Sequence, residues 1–172
     1  MTTDATADDV LGHPSVVRVR EALTGLGATG EVVVLDAHAR TARAAADQLG
    51  VGVAQIANSL VFSVVDADDH DGRRPVLVLT SGAHRVDTEQ VAAVLGVEQL
   101  DRADADFVRA RTGFVIGGVP PVGHIQPVRT LVDVALAAHD IVWAAAGHPR
   151  TVFPTRYDEL LRITAGHPVE VD

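Results

Sequence analysis

Neither cysteine nor lysine occurs in the 172-residue chain. The first absence removes disulfides, thiolate nucleophiles and cysteine-ligated zinc from consideration. The second leaves arginine as the source of all 14 basic side chains, so chemistry that needs an ammonium group must do without it or borrow it from a partner. Long apolar runs are missing too. Apolar residues make up 47% of the chain, yet no stretch nears the roughly 18 that a membrane span requires, and no membrane partner is expected. The stretch Met1–Asp9 is acidic and small, without the basic and apolar regions of a signal peptide, so a cytoplasmic location is the default expectation. Positive charge is in deficit as well. A net charge of −9 argues against DNA binding or any broad grip on nucleic acid, because phosphate contacts need cations. It leaves room for a protein that holds one end of a strand, which needs only a local basic patch.

What is present reads as one α+β domain over residues 14–172, preceded by a disordered lead-in at 1–13. Pro14 opens a helix to about Leu26, with Val16, Val19, Leu23 and Leu26 on one face, and Gly27 and Gly30 end it. A valine-rich strand follows over Glu31–Leu35. Thr41 caps an alanine-rich helix through Leu49, which Gly50 stops. A helical turn at Val53–Ala57 leads into strand Leu60–Val65, which pairs with Val76–Thr80 across the polar segment Asp66–Pro75. Asp87 starts a helix closed by Gly96. A strand Val97–Leu100, a helix Ala103–Arg111 and a strand Phe114–Ile116 come next. Strands are expected near Thr130–Val132, Ile141–Ala145 and Val152–Phe153, then a helix from Thr155 through Ile163 and an edge strand at Val169–Val171. The irregular interleaving, with hairpins, suits one curved mixed sheet without internal repeats.

Several familiar patterns fail on inspection. Gly25, Gly27 and Gly30 match a dinucleotide-binding spacing, but a helix precedes them and a strand follows, the reverse of what such a site needs. Asp66, Asp68, Asp69 and Asp71 before Gly72 suggest a calcium loop, yet the first and last ligand positions fall on Ala67 and Val78. The eight histidines stand singly, with no spacing that asks for a metal, and no cofactor is expected. Ser59, Ser63 and Ser81 sit in no nucleophile-elbow sequence.

The loop Gly117-Gly118-Val119-Pro120-Pro121-Val122-Gly123-His124 differs in kind. Proline fixes φ and glycine permits unusual φ, so this composition makes a rigid, bent segment with accessible backbone N–H groups. It can be an oxyanion-binding loop or merely a tight connection between strands.

Thr41–Phe62, Val76–Gly96, Ala103–His124 and Ile141–Leu161, in this order and spacing, make the chain resemble the YbaK-like editing domains, relatives of the domain inserted in bacterial prolyl-tRNA synthetase. The resemblance covers nearly all of residues 15–166. It implies a mixed sheet, partly closed like a barrel and surrounded by helices. It also implies hydrolysis of the ester joining a wrong small amino acid to tRNA, most often proline tRNA. The implied partners are the 3′ end of the mischarged tRNA and prolyl-tRNA synthetase. The family's GxxxP loop corresponds to Gly117–Pro121, and its pocket-lining glycine-histidine pair to Gly147 and His148. Many members carry a lysine, thought to hold the terminal adenosine and phosphate region, where this chain has Asn58. Arg43, Arg85 and Arg150 lie within the matching stretches and Arg40 immediately before the first, and these four are the candidates to replace its charge.

On this resemblance Asn58, Gly117, Gly118 and His148 are the catalytic candidates, and Phe62, Ser81, Val119, Pro120 and Pro121 the substrate-binding ones. Amides near Gly117 and Gly118 would stabilise the oxyanion, Asn58 would orient the terminal ribose or the water, and His148 would line the pocket or polarise the water. No strong nucleophile is evident, which suits a route in which the tRNA's own hydroxyl assists. The competing expectation is a relative that binds an aminoacyl-tRNA end or aminoacyl ligand without efficient turnover, and a purely structural partner domain ranks below both.

Overall fold

Helix boundaries fall where the sequence supplies caps. In the computed structural model, which describes residues 4–65 and 72–172, α1 spans Ala7–Leu11 and α2 spans Pro14–Gly25. α3 is Ala42–Leu49, with the Thr41 hydroxyl accepting from the Ala44 N–H (3.1 Å) and Gly50 closing it at φ 68°. α4 is Thr88–Leu95, capped by Asp87, and α5 is Ala105–Thr112, capped by Asp104. α6 is Tyr157–Thr164.

Strands β1 (Val33–Val34), β2 (Ile56–Val65), β3 (Arg74–Ser81), β4 (Gln99–Arg102), β5 (Arg129–Asp133), β6 (Val142–Ala145), β7 (Thr151–Thr155) and β8 (His167–Val169) form one mixed sheet. Its order is β1-β7-β6-β2-β3-β5-β8, with β4 pairing β2 beside β6. β2 is the spine. β3 runs antiparallel along one edge of it, while the other edge is shared between β6, opposite Ile56 and Ala57, and β4, opposite Phe62 to Val65. The sheet is mixed, as expected, but open, ending at β1 and β8 rather than closing toward a barrel.

Three apolar clusters hold it. One face of the sheet (Ala57, Val61, Leu77, Leu79, Val132, Phe153) packs on α2, α5 and α6 through Val19, Leu23, Val108, Leu160 and Ile163. The opposite face is split between α4, whose Val91 and Ala92 meet Phe62, Val76 and Val78, and α3, whose Ala45 and Ala46 meet Leu35, Ile56 and Val152.

Four local expectations need correction. Residues 7–11, assigned to a disordered lead-in, form α1, because Thr6 and Asp9 make a reciprocal capping box and Val10 is buried. Glu31–Leu35 is extended but pairs only at Val33 and Val34. Phe114–Ile116 is not a strand. Gly113 ends α5 at φ 83°, and Phe114 turns into the core with its amide donating to the Thr112 hydroxyl (3.1 Å). Val134–Ala138 is a 3-10 turn where the sequence pattern marks no element. The aspartates at 66–71, expected in the polar connection between two paired strands, lie outside the described residues.

The rejected dinucleotide pattern has a packing explanation at Gly30. A Cβ there would overlap the carbonyl oxygen of Pro154 on β7. Gly30→Ala is expected to cost about 1–3 kcal/mol through a forced backbone shift, read as a lower midpoint in urea denaturation.

Candidate active site

Side chains alternate along β2, so Ile56, Asn58, Leu60 and Phe62 share a face. Ile56 belongs to the α3 cluster, and Phe62 to the α4 cluster with Leu60 packed against it. Asn58 therefore interrupts an apolar row at the seam between two helices. The same stretch also has a bare edge. Among the described residues, no strand pairs with positions 58–60 on the side shared by β6 and β4. The Val61 carbonyl accepts from the Ala103 N–H on that side (3.2 Å), so by alternation the amide and carbonyl of Ser59 face the opening.

A cavity of about 490 Å³ sits in this gap. β2 lines it from Ile56 to Val61, and Trp143 to Ala145 and Arg102 with Ala103 flank it. Arg40, Thr41 and Arg43 line it from the start of α3, and Ile116, Gly117 and Val119 from the glycine-proline loop. The Asn58 side chain is half-buried and makes no hydrogen bond to the described residues. The Ser59 hydroxyl is shut away from solvent and has no partner.

The loop supplies donors, though not the pair first expected. Gly117 takes φ 95°, a conformation that favours glycine, and the Gly118 N–H donates to the Val115 carbonyl (3.1 Å). The Gly118 amide is thus occupied. The amides of Gly117 and Val119 make no hydrogen bond to the described residues, and both residues line the cavity. Pro120 is buried, and its carbonyl lies 2.7 Å from His124 Nε2. Pro121 faces a second cavity of about 570 Å³, away from Asn58.

Gly118 is where the loop meets His148. A Cβ on Gly118 would lie 3.1 Å from the N, Cα and C atoms of His148, and one on Gly147 would lie 2.8 Å from the Ser15 carbonyl oxygen. The Gly147-His148 turn is therefore wedged between α2 and the loop. His148 itself does not line the cavity, although Pro149 and Thr151 do. Its ring packs edge-on against His13 (5.5 Å) and His38 (5.6 Å). Burial, then the charges of His13, His38 and Arg150, hold it below the ordinary histidine range, so it is neutral near pH 7. Its Nδ1 accepts from the Arg150 N–H (3.0 Å), which leaves the proton on Nε2. In that tautomer His148 is a hydrogen-bond donor rather than a base.

Phe62 and Ser81 do not reach the cavity. Phe62 is core, and the Ser81 hydroxyl donates to the Ala54 carbonyl (3.0 Å), tying β3 to the 3-10 turn Val53–Gln55. Its neighbour Gly82 does line the cavity, pressed against Val53 and Ala42. Of the arginines singled out in the sequence, Arg40 and Arg43 line the cavity, while Arg85 does not and Arg150 is bound to the Leu35 and Ala5 carbonyls. Arg102 was missed. No group of three or more metal-capable side chains occurs among the described residues.

Residues 36–163 match the family defined as the aminoacyl-tRNA editing domain. A crystal structure described as a candidate trans-editing enzyme for prolyl-tRNA synthetase superposes with a TM-score of 0.83 at 39% identity, covering 92% of this chain and 97% of that one. The uncharacterised protein YwhH of Bacillus subtilis is 26% identical over 133 residues, 77% of this chain and 80% of its own length. The proline–tRNA ligase of Limosilactobacillus fermentum is 32% identical over 110 residues, which are 59% of this chain and 19% of that ligase.

Proposed function

The chain belongs to the aminoacyl-tRNA editing domain family, and on that premise we propose that it is a trans-acting deacylase that hydrolyses the ester of a mischarged tRNA, proline tRNA carrying a small wrong amino acid being the leading substrate. The observation that carries this reading is the meeting of Asn58 with the free amides of Gly117 and Val119 at one cavity through a gap in the sheet. Val61, Val108, Val119 and Ala144 give that cavity an apolar wall suited to a small side chain. In the reaction, a water oxygen attacks the ester carbonyl carbon, and the carbonyl oxygen takes up negative charge. The Gly117 and Val119 amides stabilise that charge where it develops. Collapse breaks the bond to the ribose oxygen, which receives the water's proton, releasing free amino acid and uncharged tRNA. The ester is already activated, so positioning and an oxyanion hole suffice. Asn58 orients the terminal ribose or the water. His148, one layer behind Gly118, holds the loop in place.

One observation favours a second reading, binding without turnover. No Asp, Glu or His is among the described residues that line the cavity, so a base must come from the substrate's own hydroxyl or from solvent.

Single-turnover deacylation of proline tRNA charged with alanine, cysteine, serine or threonine separates the two. Wild type should deacylate at least one of them. Asn58→Ala should lower that rate about two- to tenfold, the worth of one hydrogen bond between neutral groups, without altering the fold. Asn58→Lys should bring no gain, because Arg40, Arg43 and Arg102 already line the same cavity. An unchanged rate in Asn58→Ala removes Asn58 from the mechanism, and inactivity on every substrate supports the binding reading.

A further inference from the structure

The turn that carries His148 is fastened to several segments at once. The Leu35 N–H donates to the Arg150 carbonyl (2.7 Å), and the Ala39 N–H to the Pro149 carbonyl (2.8 Å). Gly147 is pressed against the Ser15 carbonyl, and Gly118 against the His148 backbone. Residues Ala39 to Arg43 line one part of the cavity, while Gly117 and Val119 line another. The turn therefore ties two walls of the cavity to each other and to the start of α2.

Three imidazoles meet at this turn. His148 packs edge-on against His13, the residue before α2, and against His38, with ring centroids 5.5 and 5.6 Å apart. Two of the three rings serve as acceptors. His13 Nδ1 accepts from the Ser15 N–H (3.2 Å), and His148 Nδ1 from the Arg150 N–H (3.0 Å). A proton on either Nδ1 turns that acceptor into a donor and sets it against a backbone donor. The charged groups facing His148 are His13 from the start of α2, His38 from the segment after β1, and Arg150 from its own turn. Residues 113–123 of the adjoining loop carry no charge. Among the described residues, no carboxylate lies within ion-pair distance of the three rings. Acid thus loads like charges onto one spot with nothing to offset them.

We propose that His13 and His38 are positioning residues for the oxyanion loop: with His148 they form an acid-sensitive latch that holds the cavity walls together while the row is neutral and lets them part when it is protonated. The proposal rests on the deacylase reading and names the regulation of that same site. Its sign follows from the neighbours. Burial and the basic groups hold His148 below the ordinary histidine range, so the folded state takes up that proton less readily than the unfolded chain. The stability linked to it is intact above the ordinary value of about 6.5 and is lost as pH falls below that value. His13 and His38 are exposed, so solvent protons reach the latch directly. Hydrolysis is thereby confined to neutral and alkaline conditions, where the Gly117 and Val119 amides stay in place.

The test follows the intact protein by NMR across the histidine range, from about pH 8 to about pH 5. Histidine Cε1–H signals report each ring, and backbone amide signals report the loop. On acidification the Gly117, Gly118 and Val119 amides should shift with the midpoint of His148. His38→Phe keeps a ring against His148 without its charge, and His13→Asn keeps a cap for α2 without the ring. Each should move the His148 midpoint to higher pH, and the double variant should move it further. His139→Gln removes a histidine outside the row and should leave the midpoint unchanged. Single-turnover deacylation gives a second readout. The share of the alkaline rate that survives in acid should fall in His13→Asn and His38→Phe. His148→Asn offers its Oδ1 to the Arg150 N–H without titrating, so its surviving share should exceed that of wild type. Loop amides that ignore the His148 midpoint, or a midpoint unmoved in the double variant, would overturn the proposal. A wild-type pH profile in His148→Asn would overturn it too. Loop shifts that track His148 in a protein that deacylates nothing keep the latch and discard the hydrolase.

Discussion

Asp133→Ala should lower the melting temperature by about 6–20 °C. The Asp133 side chain is 1% exposed and serves as a hub. Its carboxylate accepts from the Ser81 N–H (2.9 Å), the Thr80 hydroxyl (3.2 Å) and the Ala135 N–H (2.9 Å), and lies 3.0 Å from His84 Nδ1. Alanine would strand these donors in the interior. Breaking a buried charged network by deleting one member costs about 3–5 kcal/mol, and each kcal/mol shifts the midpoint of a domain of this size by about 2–4 °C. Asp133→Asn keeps the size and one carbonyl-type acceptor but turns an amide NH₂ toward donors, so its loss should be smaller but clear. Thermal unfolding followed by circular dichroism measures both. A shift under 2 °C in the alanine variant would mean that water substitutes for the carboxylate. The network matters to the site because Ser81 links Asp133 to the turn that launches β2, and Gly82, the next residue, lines the cavity.

This hub shows where sequence legibility ends. The helices were readable because their caps are local: Thr41, Asp87 and Asp104 each bond an amide two or three residues ahead, and Gly50, Gly96 and Gly113 supply the positive φ that closes each helix. β2 and β3 were readable from their apolar, β-branched composition, though each is longer than expected, since pairing extends a strand into residues that composition alone does not mark. Phe114–Ile116 looked like a strand because an aromatic, a valine and an isoleucine adjoin. They are apolar for different reasons: Phe114 fills the core, whereas Val115 and Ile116 are exposed beside the cavity.

The site was half legible. Asn58 and the glycine-proline loop do meet, as the resemblance implied. A polar residue on the otherwise apolar row Ile56-Leu60-Phe62 is itself a signal that alternation could have raised. Ser81, Phe62 and Pro121 lie within the matching stretches but outside the cavity, and no local rule separates a core serine from a pocket serine. Arg102 depends on the register of β4 against β2, which one sequence does not reveal. The occupied Gly118 amide depends on a turn whose closing bond runs to Val115, so only coordinates could transfer the donor role to Gly117 and Val119.

That transfer makes Gly118 the most sensitive position for activity. Gly118→Val should reduce single-turnover deacylation about a hundredfold or more, and Gly118→Ala about tenfold. Its φ is not in the left-handed region, so conformation does not forbid a side chain there; space does. An alanine Cβ would meet three backbone atoms of His148 at 3.1 Å, and the loop or the turn must yield by a few tenths of an ångström. The turn has little freedom, because Gly147 is pressed against the Ser15 carbonyl and the His148 N–H is held by the Thr151 hydroxyl (3.1 Å). The loop therefore moves, carrying the Gly117 and Val119 amides with it. Valine enlarges the displacement, and a shift near 1 Å in a positioning element costs about 10²-fold, while loss of one oxyanion donor costs about 10²–10³-fold. Overpacking should cost only about 1–3 kcal/mol of stability, so both variants should remain folded at 25 °C by circular dichroism while their rates differ. A wild-type rate in Gly118→Val would show that the Gly117 and Val119 amides take no part in the hydrolysis.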